Sequence, residues 1–74
     1  MKKLTAIIEE SKSGHYGIYV DELDGITGDG ETIEEAKEDL KMAIQEVVAY
    51  CRDNGIDTGD LGDGVFEFMY KYEI

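Results

Sequence analysis

Carboxylates are the chemistry this chain has most of. Eighteen of its 74 residues are Asp or Glu. Neighbouring pairs such as Glu9-Glu10 and Asp21-Glu22 are the groups that general acid–base or two-metal catalysis uses. At this density such pairs arise by chance, so neither marks a catalytic site. The Asp- and Gly-rich stretch 53–64 invites a calcium reading, because hard cations take oxygen ligands. The spacing is wrong: an EF-hand loop needs D-x-[DN]-x-[DN]-G, and none of Gly55, Gly59, Gly62 or Gly64 follows that trio. A solvated connection whose glycines take positive φ fits better. His15 is the single histidine and has no nucleophile or metal-ligand companion at a recognisable spacing, so it reads as a surface residue. No catalytic, metal-binding or cofactor-binding residue is expected, and the chain is not read as an enzyme.

The surplus of acid carries more information than any pair within it. The formal net charge is −11. Such a field repels phosphate backbones and anionic membranes, and it attracts basic proteins. No apolar run approaches the roughly 20 residues that a membrane span requires. The acids are also uneven: half lie between Asp21 and Asp39, opposed there only by Lys37. That stretch is either a solvated turn and helix face or a surface for a basic partner. In the second reading Asp21, Glu22, Asp24, Asp29 and Glu31 are the partner-binding residues.

Periodicity supplies the elements that carry these groups. Leu4, Ala6 and Ile8 alternate along a first strand, and Tyr16, Ile18 and Val20 along a second, joined by a hairpin loop. A short third strand is expected at about Ile26 to Gly28, weakened by its glycines. Thr32 with Glu35 three residues on forms a capping box. From there Ile33, Ala36, Leu40, Ala43, Ile44, Val47, Val48 and Cys51 fall in one helical stripe to about Asp53. Asn54-Gly55 supplies the stop. A last strand is expected at Val65 to Ile74, with Phe66, Phe68, Tyr70, Tyr72 and Ile74 on one face. The order β-β-β-α-β predicts an α+β domain, one antiparallel sheet with one long helix packed on one face. Cys51, the single cysteine, cannot form an internal disulfide, and no signal peptide follows Met1-Lys2-Lys3, so a reducing cytoplasm is expected.

Three blocks in this order resemble the HicB-like antitoxin family: Gly14 to Val20, Glu22-Leu23-Asp24-Gly25, and Gly30-Glu31-Thr32-Ile33-Glu34-Glu35-Ala36. The second block carries aspartate where the family usually has proline. The resemblance covers about Leu4 to Val48 and implies a partial ribonuclease-H-like fold that self-associates. It further implies neutralisation, by protein contact, of a small basic mRNA-cleaving toxin of the HicA type. The 74 residues are expected to form a single HicB-like domain with no separate DNA-binding domain. Two functions fit: an antitoxin-type binding module, and an orphan homo-oligomeric structural or regulatory domain without a toxin.

A chain this short buries only about 60% of its unfolded surface, so self-association is expected to add core. Val65, Phe66, Phe68, Met69, Tyr70 and Tyr72 are the expected oligomer interface, giving a homodimer or a multiple of one.

Overall fold

The computed structural model describes residues 2–73. Its elements are β1 (Lys2–Glu10), β2 (Tyr16–Val20), β3 (Leu23–Gly30), α1 (Ile33–Asp53) and β4 (Phe66–Glu73), with one 3-10 turn at Gly59–Leu61. Ile74, expected in the last strand, lies outside the described residues. The strands form one sheet in the order β3-β2-β1-β4. The α+β class and the β-β-β-α-β order are as expected. The sheet itself is mixed: β2 is antiparallel to both β1 and β3, whereas β4 runs parallel to β1. The reason is the connection. A hairpin reverses a strand, but a helix that runs back along the sheet returns the chain in its original direction.

Alternation builds the core. Leu4, Ala6 and Ile8 of β1 and Ile18 and Val20 of β2 point to the helix side and are buried, as are Ala36, Leu40, Ile44 and Val48 of α1. Each large aliphatic side chain buried this way contributes about 2 kcal/mol through apolar transfer. The opposite face of the sheet is uncovered and carries Thr5, Ile7 and Glu9 of β1 beside Tyr19 of β2 and Met69 of β4. Cys51, assigned to the buried stripe, is only half-buried.

The third strand is eight residues long, not three. It pairs Leu23 with Val20 and then Thr27 with Tyr19, so residues 24–26 bulge out, with Gly25 at φ +80°. One of its glycines admits a close approach of the helix. A Cβ on Gly28 would stand 2.5 Å from the carbonyl oxygen of Ala36 and 2.5 Å from the amide nitrogen of Leu40. The helix backbone therefore rests directly on β3, which any side chain at 28 would prevent. Gly30 sits under the first turn in the same way: a Cβ added there would stand 2.6 Å from the Cβ of Glu35.

The helix ends follow the sequence. The hydroxyl of Thr32 accepts from the amide of Glu35 at 3.1 Å, while the Glu35 carboxylate reaches back to the amide of Glu31, one residue before the cap. At the other end the amide of Gly55, at φ +66°, donates to Arg52 and that of Ile56 to Cys51. These are the two bonds of a Schellman stop.

Gly28→Ala is expected to cost about 3 kcal/mol by forcing helix and sheet apart. Gly17→Ala, where an added Cβ meets nothing within 4 Å, is expected to stay within about 0.5 kcal/mol of the parent. Equal chemical-denaturation midpoints for the two would contradict this packing. Thr32→Ala is expected to cost about 1 kcal/mol through the lost cap, read from thermal melts.

Candidate functional site

The acidic residues cluster in space, but not as they cluster in sequence. Asp21 and Glu22 form the turn between β2 and β3. Asp29 and Glu31 lie at the far end of the same ladder, whose paired ends are set by Val20 and Tyr16, about 13 Å apart. The five expected partner-binding residues are thus divided between two ends of β3, and the side chain of Asp24 lies outside the described residues.

At the turn, the carboxylate of Glu22 is occupied. The lower part of β1 extends past β2, and there the amide of Thr5 donates to Glu22 Oε1 at 3.0 Å while the amide of Asp21 donates to the Thr5 carbonyl. These two bonds cap an otherwise open strand edge. Glu22 therefore has a structural role that its sequence position does not disclose.

The other end is richer. Asp29 N donates to Asp39 Oδ2 at 3.0 Å, and Asp29 Oδ1 stands 3.4 Å from Nε2 of His15. With Glu35 bonded to the Glu31 amide, two helix carboxylates, Glu35 and Asp39, clasp the chain leaving β3. Glu34 and Glu38 are left pointing to solvent, one helical turn apart. Together with Asp29, Glu35 and Asp39 they surround Met42 in an open concavity of about 370 Å³. Met42 is 57% exposed, an apolar side chain set among carboxylates. Among the described residues no lysine or arginine makes an ion pair with any acid; the His15–Asp29 contact is the one such pairing found. Nor do three His, Cys, Asp or Glu side chains converge there as a metal ion would need.

The residues expected at an oligomer interface also divide. Phe66, Phe68 and Tyr70 lie on the helix face of β4, half-buried against the core, and their rings form a row of tilted neighbours with centroids 6.2 and 5.8 Å apart. Tyr72 continues the row but is exposed, and Met69 points to the uncovered face. Val65 precedes the strand and lines a groove between β4 and α1 with Lys41, Gln45 and Phe66. Gln45 ties the helix to this loop by donating to the carbonyl of Gly64 at 3.1 Å. Lys37 lies with its Nζ 4.2 Å from the centre of the Tyr70 ring, a cation–π contact.

On the uncovered face the Tyr19 hydroxyl reaches across β1 and donates to Glu73 Oε2 at 3.0 Å. That hydrogen bond, aided by desolvation and the charge of Glu73, holds the Tyr19 phenol above its usual range, and burial pushes Tyr70 up as well. A raised phenol pKa favours the folded state while the group is protonated. The contribution is complete below the ordinary value of about 10 and is lost as the pH rises through the raised folded-state value. Alkaline titration followed by tyrosinate absorbance is expected to show late-titrating phenols. Glu73→Gln is expected to bring Tyr19 forward and leave Tyr70 late. An unchanged titration curve would contradict the Tyr19–Glu73 bond.

Among the described residues, no helix is long and apolar enough to cross a membrane. Over 46 residues the chain is 50% identical to the UPF0150 protein ssl0738 of Synechocystis sp.. The aligned stretch makes up 62% of this chain and 64% of that relative, so the chain spans less than two thirds of the relative's length. No protein-family model matches the chain, and no solved structure matches it.

Proposed function

We propose that this domain is an acidic protein-binding module that holds a small basic partner of the HicA toxin type, acting by occlusion and not by catalysis. One observation carries the reading: among the described residues, Glu34, Glu35, Glu38 and Asp39 at the β3–α1 corner have no lysine or arginine partner, and Asp29 meets only His15. Two of them, Glu35 and Asp39, are held by main-chain amides, which fixes the corner, while Glu34 and Glu38 remain free to meet lysine or arginine. Met42 in their midst gives a partner one apolar anchor inside a charged rim, the arrangement that concentrates binding energy at interfaces. The field of the −11 chain would speed the encounter and select against acidic competitors. The sequence resemblance to HicB-like antitoxins supplies the class of partner, because such toxins are basic.

Isothermal titration against a purified cognate HicA-type toxin tests this. Replacing Glu34 and Glu38 by lysine is expected to weaken binding by about tenfold or more and to flatten its dependence on salt, mostly through slower association. Met42→Ala is expected to weaken it by about tenfold, mostly through faster dissociation. Neither change touches a capping bond, so both variants should fold normally. Undiminished affinity in both variants, or no binding to such a toxin at all, would contradict the proposal.

A further inference from the structure

The two edges of the sheet are not alike. At the β3 edge, helix carboxylates bond the chain at Asp29 and Glu31, and the surrounding charge is negative. At the β4 edge, the main chain of Phe66–Glu73 has, among the described residues, no hydrogen bonds to side chains or loops beyond its ladder with β1. A strand paired on one side leaves alternate amides and carbonyls unpaired on the other, a template for a further strand. Lysines collect here: Lys37 and Lys41 flank the helix side and Lys71 lies in the strand itself.

We propose that a second copy of this chain occupies the edge, its β4 adding antiparallel to the first to make a continuous eight-stranded sheet. The proposal goes beyond the partner-binding reading and does not depend on it. Symmetry and charge fix the register. A two-fold axis perpendicular to the sheet keeps both helices on one side, so residues of like face must oppose one another. Centring the axis on Met69 sets Glu67 opposite the partner's Lys71, and Lys71 opposite the partner's Glu67. The same register sets Phe66 against the partner's Tyr72 and Phe68 against the partner's Tyr70. Opposed charges and paired aromatics are the favourable cross-strand combinations.

The neighbouring registers do worse. Centring on Tyr70 opposes Glu67 to Glu73, and centring on Lys71 opposes that lysine to itself. Centring on Phe68 leaves both charges without a partner. Centring on Tyr72 also sets Lys71 against the partner's Glu73, but it overlaps only residues 71–73, so among registers that pair most of the strand FEFMYKYE the one centred on Met69 alone opposes unlike charges. Pairing would also cover the edge side of the aromatic row, including Tyr72, which is 63% exposed in the single chain. It leaves the acidic β3 edges at the two ends of the sheet, about 34 Å apart at strand spacing. That is several Debye lengths at physiological salt, so the charge that would oppose dimerisation is placed far from the joint.

A charge swap tests the register on the full chain. Sedimentation equilibrium is expected to show a dimer for the parent. Lys71→Glu alone and Glu67→Lys alone are each expected to weaken it by about tenfold, since each places like charges opposite at two symmetric sites. The double variant Glu67→Lys/Lys71→Glu is expected to return it to within about threefold of the parent. In a Cys51→Ser background, Met69→Cys is expected to cross-link under mild oxidation. Glu67→Cys is expected not to, its symmetry mate lying about 13 Å away, beyond disulfide reach. A parent with the mass of one chain, single variants that dimerise as well as the parent, a swap that fails to restore the dimer, or equal cross-linking at 67 and 69 would each overturn the proposal.

Discussion

The absence of a side chain at Gly28 is the constraint on which the rest of the structure depends. With backbone in contact with backbone at Ala36 and Leu40, α1 is drawn down onto β3 and extends over β2. A single helix cannot cover four strands from that position. It closes the β3 side of the sheet and meets β4 only through its flank, where Lys37 lies over Tyr70 and Gln45 holds the loop at Gly64. One close approach thus decides which strands the helix covers and leaves β4 at its flank.

The charge distribution follows the same division. On the helix flank toward β3 stand Glu35 and Asp39, whose carboxylates accept from main-chain amides at the end of that strand. Such charge-assisted bonds are stronger than neutral ones, and they also cluster negative charge near the helix N-terminus, where the dipole favours it. The lysines lie on the other flank. The molecule consequently has an acidic corner and an apolar, lysine-flanked edge on opposite sides. The proposed partner contact and the proposed self-pairing fall on these two different sides.

Much of this was legible in the sequence wherever the determining interaction is local. Thr32 with Glu35, and Asn54 with Gly55, announce the two ends of α1, and its bounds agree with the expected Ile33 to Asp53. The alternation of Leu4, Ala6 and Ile8 and of Ile18 and Val20 gave the core strands. What was not legible depends on distant contacts. Gly28 reads as weakening its strand because the helix backbone it admits, at Ala36 and Leu40, lies eight to twelve residues away and is invisible to a local pattern. The parallel placement of β4 beside β1 is a choice of neighbour, which periodicity does not encode. The acidic run from Asp21 to Asp39 is continuous in sequence, yet β3 carries its two ends apart, and Glu22 proves to cap β1 at Thr5. Met42 had a signal that went unused: it is apolar, but it falls on the side of the helix opposite the buried stripe.

The proposed self-pairing at β4 is tested most directly by amide hydrogen exchange across a range of protein concentrations. Self-pairing at β4 predicts that protection of amides within Phe66–Glu73 rises with concentration while that of Leu23–Gly30 stays constant. Protection at β4 that is independent of concentration, or a rise confined to β3, would contradict it.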